Sequence, residues 1–158
     1  MMNRHFKSYA AVLPVILRER EGREEVLLHQ RANTGYMDGK WDFAGSGHVE
    51  EGETASQAAC REVFEETGLV ARPEAVRFLH LSHRVKEPTY YDLYFEVRDW
   101  TGEPAIQEPE KCSAMAWFST EELPQDMIAN RRRTFLLARA GVAYSEIIYH
   151  TPDEEETL

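Results

Sequence analysis

The sequence predicts an α/β fold in which two helices pack against a mixed β-sheet. Several segments alternate apolar and polar residues as strands do, and two segments carry apolar residues at helical spacing. The two kinds of segment alternate along the chain, which favours a layered sandwich around one core. The chain has 158 residues and no internal repeat or linker composition, so one domain spanning residues 1–158 is expected.

The first strands are predicted from two apolar segments that flank a short polar turn. Residues 8–17 and 25–30 form these strands, and Glu21 and Gly22 between them are typical of a turn. Residues 41–44 are expected to lead into a glycine-containing loop.

The first helix is predicted with defined ends. Thr54 is a natural N-cap, and Gln57 three residues later completes a capping box. The helix is expected to run to about Thr67, followed by Gly68 in a left-handed conformation. On a helical projection, four residues should face the core: Ala59, Cys60, Val63 and Phe64. A buried Cys60 predicts a free thiol in the core rather than a disulfide.

Three more strands are predicted after this helix, at residues 76–85, 90–97 and 114–118. Residues 125–140 have the spacing of a second helix that ends at Gly141.

Smaller features of the C-terminal part are predicted as well. Ser119 or Thr120 is expected to cap a short helical turn. The basic triplet at residues 131–133 is assigned to the polar face of the second helix, and the acidic tail at residues 151–158 is expected to be frayed and solvated.

The residues that carry chemistry lie on the first helix and just before it. From Gly47 to Leu69 the spacing is G-x5-E-x7-R-E-U-x-E-E-x-G-U, where U is aliphatic. Glu62, Glu65 and Glu66 stand at i, i+3 and i+4 and therefore share one side of the helix. Their combined negative charge suits a hard divalent cation with oxygen ligands, either Mg²⁺ or Mn²⁺.

Arg61 offsets part of the repulsion between these carboxylates, and Glu53 is placed to hold Arg61 from the other side. A bare cluster of glutamates is more often a solvated acidic face of a helix. The glycines and Glu53, which precede the cluster at fixed intervals, favour a metal site instead.

This complete spacing is the signature of the Nudix hydrolase family, and the chain resembles that family from about residue 8 to residue 140. The resemblance implies an α/β/α sandwich in which the motif forms a loop, a helix and a second loop. The metal ligands that it implies are the carbonyl of Gly47 and the side chains of Glu62, Glu65 and Glu66. It also implies that Arg61 and Glu53 form an ion pair orienting these ligands, and that Glu65 or Glu62 helps to deprotonate the attacking water.

The implied reaction is attack of water on a diphosphate that is linked to another moiety. Many members of the family have Leu-Pro-Gly-Gly before the motif, whereas this chain has Gly45-Ser46-Gly47 after Phe43-Ala44. This departure concerns the shape of the pocket rather than the motif itself.

Candidate residues outside the motif each have an alternative interpretation. Many Nudix enzymes take a further ligand or base from a downstream loop, and Glu110 or Glu108 could supply it here; the alternative is a solvated loop acid. Arg31, Tyr36 and Arg84 are candidates for substrate binding, because an aromatic ring can stack on a base and an arginine can hold a phosphate. Surface or core packing is the alternative for each of them.

The sequence markers typical of Nudix enzymes that act on ADP-ribose, dinucleoside polyphosphates or NADH are not found at their usual places. By elimination, a nucleoside triphosphate, including a modified one, is the favoured substrate. The alternatives are an ADP-ribose or other nucleotide-sugar pyrophosphatase, a non-catalytic nucleotide sensor, and an isomerase acting on isopentenyl diphosphate. An intact set of motif glutamates argues against the sensor, and the absence of a suitable cysteine–glutamate pair argues against the isomerase.

Charge and hydropathy limit the partners. The formal net charge is −10, and no basic block exceeds three residues, so no nucleic-acid polymer is expected as a partner. Residues 1–7 lack the apolar core of a signal peptide, and no apolar run is long enough to span a membrane, so a cytoplasmic protein is predicted. Resemblance to the family also makes a homodimer plausible.

Overall fold

A computed structural model describes residues 5–157 and shows strands and helices arranged as an α/β sandwich. In chain order the elements are β1 (Tyr9–Arg20), β2 (Arg23–Arg31), β3 (Trp41–Phe43), β4 (Gly47–His48), α1 (Ala55–Thr67), β5 (Val70–Ala71), a 3₁₀ turn (Pro73–Ala75), β6 (Arg77–Val85), β7 (Tyr90–Val97), β8 (Trp100–Thr101), β9 (Cys112–Ser119), α2 (Ala129–Arg139), β10 (Tyr144–Ile148) and α3 (Glu154–Thr157).

The main sheet has eight strands and is mixed, as predicted. Its principal order is β10-β6-β7-β1-β2-β3, while β4 pairs with β1 and β9 pairs with β2. The β1–β7 and β6–β10 pairs are parallel, and the other pairs of this sheet are antiparallel. β5 and β8 form a separate two-stranded sheet.

A helix lies on each face of this sheet. Strands β1 and β2 send side chains alternately to the two faces, since successive residues of a strand point in opposite directions. The core cluster on one face contains Leu13 of β1, Leu28 of β2 and Phe135 of α2. Ile16 and Val63 of α1 belong to the cluster on the other face. These two clusters confirm the sandwich of three layers.

The helix predicted at residues 54–67 is present with both of its predicted ends. Thr54 Oγ accepts a hydrogen bond from the Gln57 amide, and the Gln57 side chain accepts one from the Thr54 amide, which completes the capping box. Gly68 ends the helix with φ 75°, and its amide donates to the Phe64 carbonyl. The predicted turn at Glu21 and Gly22 is also present and joins β1 to β2.

The buried side of α1 differs from the prediction. Ala58, Ala59, Val63 and Thr67 are buried, whereas Phe64 is 57% exposed and Cys60 is only partly buried. The small alanines let the helix lie close to β1, and the buried residues Ala59, Val63 and Thr67 follow one another at intervals of four. Phe64 lies beside this narrow buried face and therefore remains exposed.

The second helix begins later than predicted. Residues 125 and 126 form a turn, and Met127 forms a β-bridge with Trp41. The Trp41 amide donates to the Asp126 carbonyl and the Ile128 amide donates to the Trp41 carbonyl, so α2 starts only at Ala129.

The predicted turn after Ser119 is present. The Ser119 hydroxyl accepts a hydrogen bond from the Glu121 amide at 3.2 Å, and the Ser119 carbonyl accepts one from the Glu122 amide. No helix follows this turn directly.

The C-terminal part was predicted least well. Strand β10 pairs in parallel with β6 and had not been predicted. The expectation of a solvated acidic tail is wrong for Glu155, which is 6% exposed. Its burial is possible because three donors from distant parts of the chain surround its carboxylate. Within residues 5–157, no helix combines the length and the apolar character needed to cross a membrane.

Candidate active site

Arg61 lies at the centre of the motif between Gly47 and Leu69, in contact with three of its glutamates. Its Nη2 donates to Glu53 at 2.7 Å, and its Nε donates to the other oxygen of Glu53 at 3.1 Å. Its Nη1 donates to Glu62 at 2.7 Å and to Glu65 at 3.2 Å. The guanidinium also reaches the His48 carbonyl at 3.0 Å, which ties the loop before α1 to the helix. The predicted contact between Arg61 and Glu53 is therefore formed.

Glu66 points toward a different set of partners. It accepts a hydrogen bond from the Gly45 amide at 2.7 Å, and its carboxylate lies 3.2 Å from Nδ1 of the buried His29. The glycine-containing loop and β2 thus fix Glu66, while Arg61 fixes its neighbours on the helix.

Gly47 has a steric role in this arrangement. A Cβ atom at this position would overlap the carboxylate of Glu62. The absence of a side chain lets the loop approach α1 closely, and this approach brings the Gly47 main chain and Glu62 together.

The pKa of Glu62 is raised well above its usual value. Burial raises its pKa, and the nearby Glu66 and Glu65 raise it further, so that it reaches about 7 even though Arg61 lowers it. Burial and the neighbouring carboxylates therefore disfavour the charged form of Glu62.

The residues fit a hard divalent cation. Glu62, Glu65, Glu66 and the Gly47 carbonyl offer only oxygen donors, which Mg²⁺ and Mn²⁺ prefer. In the described part of the chain, no three acidic, histidine or cysteine side chains already form a complete ligand set. Arg61 Nη1 contacts only one oxygen of Glu62 and one of Glu65, so the second oxygen of each carboxylate could face a bound cation.

These residues line a cavity of about 580 Å³. Gly47 and the three helix glutamates form one part of its wall. The three residues predicted for substrate binding form another part: Arg31, Tyr36 and Arg84. The structure thus brings the two groups of candidates to one cavity.

Each of the three predicted substrate-binding residues is already engaged by the protein. Arg31 Nε donates to the Tyr36 carbonyl at 2.8 Å, which shapes the loop between β2 and β3. Arg84 is 3% exposed and donates to Asp92 and to Glu155. The Tyr36 hydroxyl donates to Glu155 at 2.7 Å.

The downstream loop contributes Glu108 rather than Glu110 to the cavity wall. Glu110 lies in an exposed turn, closed by hydrogen bonds from the Lys111 and Cys112 amides to the Glu108 carbonyl. Glu110, the predicted additional ligand, is therefore not part of the cavity wall, and Glu108 is the loop acid that lies there. Glu108 forms an ion pair with Lys111 at 3.0 Å.

A buried group of charges beside the cavity was missed by the sequence analysis. Arg131 is 6% exposed and donates to Asp42 and Asp92, both at 3.1 Å. The assignment of residue 131 to the polar face of α2 is therefore wrong. Asp42 is also buried, and although burial opposes its ionisation, Arg131, His29 and Arg31 hold its pKa below the usual value. The signal that the sequence offered for this buried group was an aspartate within each of two largely apolar strands, Asp42 in β3 and Asp92 in β7.

Comparisons with known proteins agree with this fold and motif. The family model described as NUDIX domain matches residues 8–138. The oxidized purine nucleoside triphosphate hydrolase of Danio rerio is 34% identical over 163 residues, covering 93% of this chain and 97% of that protein. The 8-oxo-dGTP diphosphatase of Escherichia coli (strain K12) is 28% identical over 119 residues, covering 72% of this chain and 91% of that protein.

The fold is also found in a solved structure. The crystal structure of the MutT NUDIX hydrolase from Burkholderia pseudomallei superimposes with a TM-score of 0.71 at 24% identity, covering 82% of this chain and 97% of that chain. The chain belongs to the Nudix family. Two further curated relatives are matched over less than two thirds of their own length: the match covers 34% of a protein from Caenorhabditis elegans and 59% of one from Bacillus subtilis. Nudix hydrolases generally need divalent cations.

Proposed function

We propose that this protein hydrolyses a nucleoside triphosphate, including a modified one, to a nucleoside monophosphate and pyrophosphate with the help of Mg²⁺. One observation carries the proposal: Glu62, Glu65 and Glu66 line a single cavity beside Gly47. Two relatives named for the hydrolysis of oxidised purine nucleotides support this class of substrate.

Gly47 and the three helix glutamates would hold the cation, with Mn²⁺ as an alternative to Mg²⁺. When bound, the cation would neutralise the polyphosphate, lower the pKa of the attacking water and stabilise the leaving oxygen. A chain of net charge −10 repels an anionic substrate, and the positive charge of a bound cation would offset this repulsion at the site.

Arg61 and Glu53 act by orienting these ligands. Glu53 holds the guanidinium through two hydrogen bonds, and the guanidinium in turn limits the positions of Glu62 and Glu65. Glu65 or Glu62 would accept the proton of the attacking water. Glu65 is the more accessible of the two, with a side chain that is 51% exposed.

Arg31, Tyr36 and Arg84 would form the part of the wall that contacts the rest of the nucleotide. Arg31 and Arg84 are neutralised by Asp42, Asp92 and Glu155. They therefore suit hydrogen bonding to neutral groups of a nucleoside better than the binding of a second polyphosphate.

A nucleotide panel tests the proposal. Wild type, Glu65→Gln and Glu121→Gln would be assayed with Mg²⁺ on nucleoside triphosphates and diphosphates, 8-oxo-dGTP, ADP-ribose, NADH and dinucleoside polyphosphates. Glu121 is an exposed residue outside the cavity, so its variant controls for the loss of one negative charge.

We expect a nucleoside triphosphate to yield monophosphate and pyrophosphate, and Glu65→Gln to lose about 100-fold or more in kcat. Preferred turnover of ADP-ribose would reassign the substrate to the nucleotide-sugar class. Nucleotide binding by a folded wild type without any turnover would favour the non-catalytic sensor.

Four broader expectations from the sequence accompany this proposal. They are a single domain over residues 1–158, a homodimer, a cytoplasmic location, and no nucleic-acid polymer as a partner.

A further inference from the structure

The C-terminal end of the chain brings a carboxylate to the back of the cavity wall. α3 follows β10 and packs against α2. Within α3, Glu155 is 6% exposed, although glutamates are seldom buried unless they are paired. Its position therefore depends on specific partners.

Three donors converge on the Glu155 carboxylate. The Tyr36 hydroxyl and Arg84 Nη1 donate to Oε1 at 2.7 and 2.6 Å, and Lys86 Nζ donates to Oε2 at 2.5 Å. Burial opposes ionisation of Glu155, but these hydrogen bonds and the two cations hold its pKa below the usual value. One charged group thus connects the β2–β3 loop, strand β6 and the β6–β7 loop.

All three partners line the cavity, whereas Glu155 itself is not among the lining residues. Any effect of Glu155 on the cavity must therefore be transmitted through these three lining residues. Its partners are also arranged around tyrosine rings: Lys86 Nζ lies 5.2 Å from the centroid of Tyr36 and 5.7 Å from that of Tyr90, and the Arg84 guanidinium lies 4.8 Å from the latter. Small shifts of the cations would therefore change the surface that a ligand meets.

Removal of the carboxylate would loosen this wall. Lys86 and Arg84 would face each other without the anion between them, and the long lysine side chain would regain its rotamer freedom. The loop that carries Tyr36 would lose its link to the C-terminal segment. By contrast, the glutamates of α1 contact none of these residues in the described hydrogen bonds and ion pairs.

We propose that Glu155 is a positioning residue for substrate binding, which acts through Tyr36, Arg84 and Lys86 to fix the nucleoside-contacting wall of the cavity. The identity of the ligand rests on the proposed function, while the role of Glu155 rests on these contacts. A merely structural role would lower stability without a selective effect on binding.

Steady-state kinetics of Glu155→Gln on dGTP and 8-oxo-dGTP test the proposal. We expect KM to rise about tenfold, the effect of losing a hydrogen-bonded charge, while kcat changes by less than about twofold. Glu121→Gln is the matched control and should change neither constant. A fall in kcat with an unchanged KM would overturn the proposal.

A double-mutant cycle shows whether Glu155 acts through its partners. Tyr36→Phe should raise KM in the wild-type background but add little to Glu155→Ala, because in that variant residue 155 has no side-chain acceptor left for the hydroxyl. Additive effects of the two substitutions would contradict the proposal. If the Glu155 variants do not fold, Lys86→Met and Tyr36→Phe, with their double variant, test the same linkage.

Calorimetric binding of the α,β-imido analogue of dGTP with Mg²⁺ separates this inference from the proposed function. Weaker binding by folded Glu155→Gln supports the positioning role even if wild type turns over no nucleotide, a result that would overturn the proposed function alone. Unchanged binding with an unchanged KM overturns the positioning role alone. Absence of binding by wild type overturns both.

Discussion

At the scale of single residues, the candidate site depends on one arginine and one glycine. Arg61 spreads its donors over Glu53, Glu62 and Glu65, so four charged groups share one arrangement. Gly47 supplies the space in which Glu62 sits. Of the nine glycines in the chain, eight have a positive φ, and Gly47 is the exception. Its requirement for glycine is therefore steric.

Substitution of Gly47 by alanine should impair the site more than the fold. The new Cβ would displace the Glu62 carboxylate, and a displacement of about 1 Å at a reacting centre can cost on the order of 100-fold in rate. We expect that loss in kcat/KM with little change in the urea midpoint.

Gly22→Ala provides the contrasting control. Gly22 has φ 76° and nothing within 4 Å of its added Cβ, so this substitution should cost about 1 kcal/mol of stability and leave kcat/KM unchanged. Equal losses of activity in the two variants would contradict the steric role of Gly47.

At the scale of elements, α1 is the best specified part of the chain. Its capping box and its C-terminal glycine are local signals, so both ends could be predicted from a few neighbouring residues. The spacing of Glu62, Glu65 and Glu66 follows from the same helix. The orientation of the helix on the sheet is not a local property, and for this reason the exposure of Phe64 was not foreseen.

The capping box gives a prediction about stability. Thr54→Ala should lower the free energy of unfolding by about 1 kcal/mol, because the Gln57 amide loses its acceptor. Thr54→Ser keeps the hydroxyl and should retain most of the stability. Urea denaturation of the three proteins measures both effects, and an unchanged midpoint for Thr54→Ala would show that the cap contributes nothing.

At the scale of the whole molecule, charged residues from distant parts of the chain meet beside the cavity. Arg131 joins Asp42 and Asp92 across sequence separations of 89 and 39 residues, and Glu155 joins Tyr36 across 119. No local pattern marks such partners. The sequence therefore predicted the motif and the positions of most long strands along the chain, but it placed residues 131 and 155 in solvent.

These buried charges predict how stability depends on pH. Burial opposes the ionisation of Asp42, but Arg131, His29 and Arg31 outweigh it, so its pKa in the folded state lies below the ordinary 3.8. A lowered pKa contributes stability that is fully present above 3.8 and is lost as the pH falls through the folded-state value.

Asp42→Asn tests this dependence. The substitution leaves Arg131 with one buried anion fewer and should cost about 3 kcal/mol at pH 7. Its free energy of unfolding should fall less steeply than that of wild type between about pH 4 and pH 2, since one titrating carboxyl is missing. Parallel curves for the two proteins over that range would refute the contribution of Asp42.

We expect the glutamate face of α1 to hold a divalent cation, and Mn²⁺ binding followed by electron paramagnetic resonance tests this most directly. We expect wild type to bind Mn²⁺, Mg²⁺ to displace it, and the Glu62→Gln/Glu65→Gln/Glu66→Gln triple variant to lose this binding while it remains folded. Undiminished Mn²⁺ binding by the triple variant would contradict this expectation and locate the cation elsewhere.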